Sequence, residues 1–237
     1  MSDYLLMVLE NEAAHASEAP RPVASLIAER AAFADRLRRD RTLKDSGRLR
    51  PSNEGKRVRR VGDRADVVDG PFVEKGRALA GYYWVEATDA DHAGELALQC
   101  PLLPSDEVDV RPIMKGRVDA AKDDKPGKIF AFGVLGNAAT EEGWVAVMDR
   151  IDAESQAVSH GDGALGGVRL LPPKAGRRIA IDGGKRAMFD GPFLESKEVI
   201  GGVFFIRMTS IDEAVRWASE TRAVVHGTLE IRELWRT

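Results

Sequence analysis

A chain of 237 residues, 43% hydrophobic and 31% charged, can bury a sizeable core and fits one large domain or two of about 100 residues each. A formal net charge of -3 gives no global attraction to a polyanion or a membrane surface, the single cysteine, Cys100, excludes an internal disulfide, and no apolar run approaches the roughly 20 residues that span a bilayer. The opening MSDYLLMVLENE places acids directly after a short apolar run, unlike a signal peptide, so a cytoplasmic protein is expected.

The elements then read, in chain order, as one series written twice. An apolar strand over 4–9 precedes an amphipathic helix with Val23, Leu26, Ile27, Phe33, Ala34 and Leu37 at helical spacing, a stripe that reads as core. Two short strands over 57–61 and 65–68 turn about Gly62 and Asp63. A third strand, GYYWVEA, starts at Gly81, a second helix starts after the N-cap residue Asp89, and a last strand lies around 108–111. The polar stretch MKGRVDAAKDDKPGK follows and reads as a linker. Next come a strand over 129–135 and a helix striped by Trp144, Val147, Met148, Ile151 and Val158. Strands over 178–181 and 186–189 turn about DGGK, GVFFIRM starts at Gly202, Ser210 and Glu213 form a capping box, and a strand over 229–232 ends the series. Strand, helix, strands, helix, strand is the ferredoxin-like order.

Self-alignment at an offset of 121 residues supports duplication. Arg48 falls on Arg169, Pro51 on Pro172, Gly55 on Gly176, Arg57 on Arg178, Gly81 on Gly202, Thr88 on Thr209, Ala93 on Ala214 and Arg111 on Arg232. The first strands need another offset, because the first repeat carries about four extra residues near ENEAAHASEAPRP. The expected organisation is repeat 1 over 1–114, a linker over 115–126 and repeat 2 over 127–237.

The tetrapeptide DGPF occurs in both copies, at 69–72 and 190–193. As a turn it is self-explanatory: Asp can bond backbone donors nearby, Gly supplies unusual dihedrals, Pro fixes φ, and Phe anchors the exit. As a site it would use Asp69 or Asp190 at a strand end facing a cleft, with the repeated acids Glu74 and Glu195. The four histidines, His15, His92, His160 and His226, form no HxH, HExxH or Cys/His cluster, so no metal site is expected, and no motif asks for a cofactor. Cys100 ends the helical stripe Ala93, Leu96, Ala97 and reads as a small core residue. GDGALGG lacks the Gly-Lys-Ser/Thr ending of a P-loop. Twelve Lys or Arg against four Asp or Glu lie between Arg36 and Arg64, read first as solvated helix end and hairpin and second as an anion or nucleic-acid surface; no interleaved aromatics support RNA stacking, and nucleic acid is not the expected partner.

The runs VVDGPFVEKGRALAGYYWVEATDADHAGELALQCP with VDVRP, and MFDGPFLESKEVIGGVFFIRMTSIDEAVRWASET with LEIRE, resemble the YCII-related family, specifically its DGPF-domain branch, once per repeat. That resemblance implies an α+β fold in which two ferredoxin-like repeats pack as an intramolecular dimeric α/β barrel, with further homodimers open. It implies small-molecule chemistry in a pocket made by both repeats; lactone isomerisation, dehalogenation and oxygenation occur among barrels of this kind. Members similar to this chain often pair a His on the first helix with an acid near the helix end. Arg30 and Ile151 fall at that His position, Asp40 and Gly161 at the acid, so the family's couple is missing from both copies. Arg30 then either snorkels to solvent or points a fixed charge into a cavity. The expected pocket group is Arg30, Asp40, Asp69, Phe72, Glu74, Asp190, Phe193 and Glu195. The alternative implied by the resemblance is a noncatalytic regulator associated with an extracytoplasmic-function sigma factor.

Overall fold

The computed structural model describes residues 1–17, 22–61, 64–72, 77–118, 125–136, 163–191, 199–220 and 228–235. In chain order the elements are β1 (Ser2–Glu10), α1 (Glu12–Ser17), α2 (Val23–Arg39), β2 (Leu43–Leu49), β3 (Lys56–Val61), β4 (Arg64–Asp69), β5 (Ala78–Ala87), α3 (Ala90–Ala97), β6 (Glu107–Val118), β7 (Lys128–Gly136), β8 (Ala164–Leu170), β9 (Arg177–Asp182), β10 (Lys185–Asp190), β11 (Val199–Met208), α4 (Ile211–Glu220) and β12 (Thr228–Trp235). The described chain is mostly strand, antiparallel in the ladders below, with few helices. No described helix is long and apolar enough to cross a membrane.

Two compact units form, and each draws on both halves of the sequence. Unit 1 comprises Met1–Arg48, Val73–Ile113 and Pro173–Phe193; unit 2 comprises Leu49–Phe72, Met114–Pro172 and Leu194–Thr237. In unit 1 the strands run β2-β5-β1-β6-β9-β10, so four strands of repeat 1 are extended by the β9–β10 hairpin of repeat 2. In unit 2 the order is β8-β11-β7-β12-β3-β4, and the hairpin comes from repeat 1. The repeats exchange hairpins.

Burial explains why the exchange is stable. Strand alternation in unit 1 puts Leu6, Val8, Tyr83, Val85, Val108 and Val110 on one face, where Phe33, Ala34 and Leu37 of α2 and Ala93 and Ala97 of α3 cover them. The Phe33 and Tyr83 rings meet edge to face at 4.9 Å. Ile179 of the borrowed hairpin pairs with Val108 and is fully buried in this core. In unit 2, Phe132 stacks on Phe204 at 4.9 Å, Trp217 of α4 packs edge-on at 5.2 Å, and Val58 of the other hairpin is fully buried beside Leu229. Val58 and Ile179 are equivalent residues under the 121-residue offset. Burying one such side chain stabilises by about 1.5–3 kcal/mol, so each repeat supplies an apolar plug to the unit that the other repeat dominates.

Four elements differ from the sequence expectation. Strand β2, LKDSGRL, and its counterpart β8 are additional strands, hidden because their polar residues break the apolar alternation. In β2 the buried Asp45 accepts a 2.7 Å hydrogen bond from the Tyr82 hydroxyl, which lets a charged residue sit in a buried strand position. The hairpins therefore are not the middle strands of their own repeats. Strand β6 runs on to Val118, into the stretch expected to be linker. The stretch ENEAAHASEAPRP, read as holding about four extra residues, contains helix α1. The helix expected to carry Trp144, Val147, Met148, Ile151 and Val158 lies outside the described residues.

Candidate functional site

Unit 1 gathers four ionisable side chains from separate elements: Glu10 at the end of β1, His15 on α1, Arg30 on α2 and Asp106 just before β6. The His15 Nε2 and Asp106 Oδ1 atoms are 2.6 Å apart, and the other imidazole nitrogen stands 3.8 Å from Glu10 Oε2. Arg30 bonds Glu10 through Nη1 and Asp106 Oδ2 through Nη2, the latter at 3.1 Å. The Asp106 side chain is fully buried and receives a third bond from the Leu103 backbone N–H at 2.9 Å. A carboxylate with no solvent access is tolerable when its lone pairs are filled by a guanidinium, an imidazole and an amide, as here. Arg30 stands where the family's His was expected, and a different His-acid pair, His15 with Asp106, forms beside it. Helix α1 brings His15 from the inserted segment to the carboxylate that Arg30 also binds.

The cluster fixes a loop. Arg30 Nε donates to the Pro101 carbonyl at 3.0 Å, and Asp106 holds Leu103 N–H, so loop 101–104 is clamped at two points. That same loop, with Glu29 and Gln99, forms the repeat 1 wall of an open groove of about 720 Å³. Ile181, Gly184 and Arg186 of the borrowed hairpin form the other wall. Arg186 Nη1 donates to the Leu98 carbonyl at 2.7 Å, which ties hairpin to α3. Nearby, burial pushes the Cys100 thiol up to about 12, and burial likewise raises the Tyr83 phenol far above its ordinary range, so both stay protonated and unreactive at neutral pH. Among the described residues no three His, Cys, Asp or Glu are arranged to hold a metal ion.

A second charged arrangement appears in both units. Arg232 of β12 is buried; its Nη1 donates to Glu230 Oε1 at 3.1 Å and its Nε to the Arg50 carbonyl at 3.0 Å. Glu230 Oε2 in turn receives Nε and Nη2 of Arg57 on the borrowed hairpin, at 3.0 and 2.8 Å, and the Arg57 guanidinium lies 4.6 Å from the buried Phe72 ring. In unit 1 the equivalents are Arg111, bonded to Asp109 at 3.4 Å, and Arg178, whose guanidinium lies 5.3 Å from the Phe189 ring. Burial raises the Asp109 carboxyl and lowers Arg111, each partly offset by the other's charge. The DGPF glycine serves the same anchoring. A Cβ on Gly70 would stand 1.8 Å from the Ser52 carbonyl oxygen, and on Gly191 2.2 Å from that of Pro173, so only glycine lets the hairpin exit press against the preceding turn. The Gly70 and Gly191 N–H groups bond the Gly55 and Gly176 carbonyls at 3.2 and 3.3 Å.

The YCII-related domain family model matches residues 5–117 and again 135–237, nearly the whole chain in two copies. The chain belongs to the YCII-related family, as a tandem duplication. It is 36% identical over 75 residues to an uncharacterized protein of Rhizobium meliloti (strain 1021), a match that takes in 30% of this chain and 60% of that relative's length. A solved structure described as a crystal structure study of an anthrone oxidase-like protein aligns with 100% of this chain and 92% of its own, at 10% identity and a TM-score of 0.38.

The residues of this YCII-related chain that the sequence singled out do not form one group. Arg30 points its charge inward, into the cluster, and does not snorkel. Asp40 is the exposed C-cap residue of α2. Asp69 and Asp190 are 76% and 86% exposed; the first pairs with Lys56 at 2.6 Å and the second with Arg177 at 3.2 Å. Their side chains therefore tie strand to strand, in place of the expected bonds to turn backbone. Phe72 is buried under Arg57, whereas Glu74, Phe193, Glu195, His160 and His226 lie outside the described residues. Of the basic stretch, Arg38, Lys44, Arg50, Lys56, Arg57 and Arg59 all face acids, which favours its reading as ordinary paired surface. Glu10, Asp106 and Arg186 were not singled out, and His15 was weighed only as one of four scattered histidines. Two signals pointed to them: the extra residues that carry His15 in repeat 1 alone, and the offset that places Arg186 over Ala65.

Proposed function

We propose that this YCII-related protein binds a small molecule in the groove of unit 1, and that each four-strand set with its helices is a ferredoxin-like unit of the DGPF branch. The observation that carries the reading is the clamped loop: one wall is held at Pro101 and Leu103 by a buried, fully bonded cluster, and the facing wall is supplied by the other repeat. A groove of about 720 Å³ falls within the range of about 300–1,000 Å³ usual for small-molecule sites, and rigid walls lower the ordering cost of binding. His15, Asp106 and Glu10 act as positioning residues, holding the loop from behind. The order β2-β5-β1-β6, antiparallel with both helices on one face, supports the ferredoxin-like assignment.

The test is a thermal-shift screen of the full chain against a small-molecule collection, followed by titration of each hit into Asp106→Asn. Hits whose affinity falls in the variant, with the loop amides of 101–104 shifting in NMR spectra, are the expected result. Hits that perturb only unit 2 amides, or that bind Asp106→Asn unchanged, would reject this groove.

A further inference from the structure

We infer that the ligand of this groove is a small monocarboxylate with an apolar body, its carboxylate received by Arg186; the inference rests on the ligand-binding reading above. The wall chemistry is divided. Leu102, Leu103, Ile181 and the flanking prolines 101 and 104 offer apolar surface, and Arg186 adds a permanent positive charge. Arg186 is exposed and spends one donor on the Leu98 carbonyl, a bond that orients the guanidinium while its other N–H groups keep their capacity. A guanidinium held in this way matches the planar, two-oxygen geometry of a carboxylate. Glu29 on the repeat 1 wall has interactions of its own and adds a negative charge, which disfavours a second anionic group on the ligand and so excludes phosphates and dicarboxylates.

The duplication supplies an independent argument. Under the 121-residue offset Arg186 falls on Ala65, a half-buried residue packed against the unit 2 core. Both hairpins plug a core with Val58 or Ile179, but only the repeat 2 hairpin brings an arginine to this position. The fold does not require arginine there, since the equivalent strand does without it. The hairpins differ at several positions, and of the repeat 2 hairpin residues that line the groove, Ile181, Gly184 and Arg186, the arginine is the one that carries charge.

The experiment is calorimetric titration of the full-length protein with 4-methylpentanoate and benzoate, their primary amides, and inorganic phosphate, repeated on Arg186→Gln. Binding of the carboxylates over amides and phosphate, weakened roughly tenfold or more in Arg186→Gln at unchanged Tm, is expected. Amides binding as well as acids, phosphate binding more tightly, or carboxylates binding Arg186→Gln undiminished would each overturn the carboxylate assignment while leaving a ligand groove in place. Should Arg186→Gln lose its fold, the acid-against-amide comparison on the unaltered protein decides alone. Failure of every probe to bind, together with an empty thermal-shift screen, would instead remove the groove itself.

Discussion

The two units share one charged device and differ in another. In both, a buried arginine of the last strand, Arg111 or Arg232, is bonded to the acid two residues before it and lies beside the other repeat's hairpin. Only unit 1, among the described residues, carries the Glu10, His15, Arg30 and Asp106 cluster with its clamped loop. What duplication preserved in both copies serves the hairpin exchange, and what it let diverge stands at the groove. The division separates residues common to both units from residues that the proposed ligand groove would use.

The largest effect should come from the shared device. Arg111→Ala and Arg232→Ala each remove the buried arginine bonded to Asp109 or Glu230, and each should cost about 3–5 kcal/mol in denaturant unfolding. Near-equal losses support the comparison; a cost under about 1 kcal/mol in one unit would break it. Next, Asp106→Asn removes charge from three bonds and should cost about 2–3 kcal/mol, with hydrogen exchange accelerating in unit 1 around 101–106 and not in α4. Acceleration spread over both units would show the cluster to be a general staple. Gly70→Ala and Gly191→Ala should then cost about 1–3 kcal/mol each, since the added methyl meets a carbonyl oxygen that cannot yield cheaply.

A pH measurement sharpens the contrast further. Cys100 keeps its proton up to about 12 in the folded protein, whereas an unfolded thiol loses it near 8.5. The folded state therefore holds more protons in that window, and stability is intact below about 8.5 and lost above it, by about 1.4 kcal/mol per pH unit toward 12. Cys100→Ala should flatten the part of the alkaline decline that its thiol causes; a decline of unchanged slope would assign it to the tyrosines. The smallest effects are expected at the opening residue of each DGPF. Asp69→Ala and Asp190→Ala remove exposed pairs and should each shift stability by less than about 1 kcal/mol. A larger loss would return these aspartates to the turn-capping role read from sequence.

Much of the fold was legible because apolar periodicity reports burial directly. Strands β1, β5, β7 and β11 and helix α2 follow patterns written in Leu, Val, Phe and Tyr. The N-caps were equally readable: Asp89 accepts from the His92 N–H at 2.8 Å and Ser210 from that of Glu213 at 3.2 Å, although Glu213 reaches back to Thr209 and not to Ser210. Strand β2 was not readable, because Asp45 is buried by virtue of a partner, Tyr82, that is 37 residues away. The cluster shares that difficulty. His15 and Asp106 are 91 residues apart, and no spacing rule joins a short helix to a loop across a sheet. Hairpin exchange is invisible for a further reason: β3 and β4 would show the same residues whichever unit they entered, since Val58 and Ile179 are both small aliphatic plugs.

That exchange also sets a schedule. Strand β6 leaves the ribosome with its partner on one side, β1, already made, while the strand for its other edge, β9, begins only at Arg177. At roughly 5–20 residues per second, the stretch from Ile113 to Phe193 leaves unit 1 incomplete for roughly 4–16 s. The β3–β4 hairpin waits longer, until Thr228–Trp235 appears. For that interval the nascent chain exposes an unpaired strand edge and an unfilled core position at Val108, the condition under which neighbouring chains on a polysome pair with each other. Slow translation of the second repeat would thus lengthen the aggregation-prone phase of the first, and synonymous codon changes between 114 and 193 should alter soluble yield without altering a single side chain.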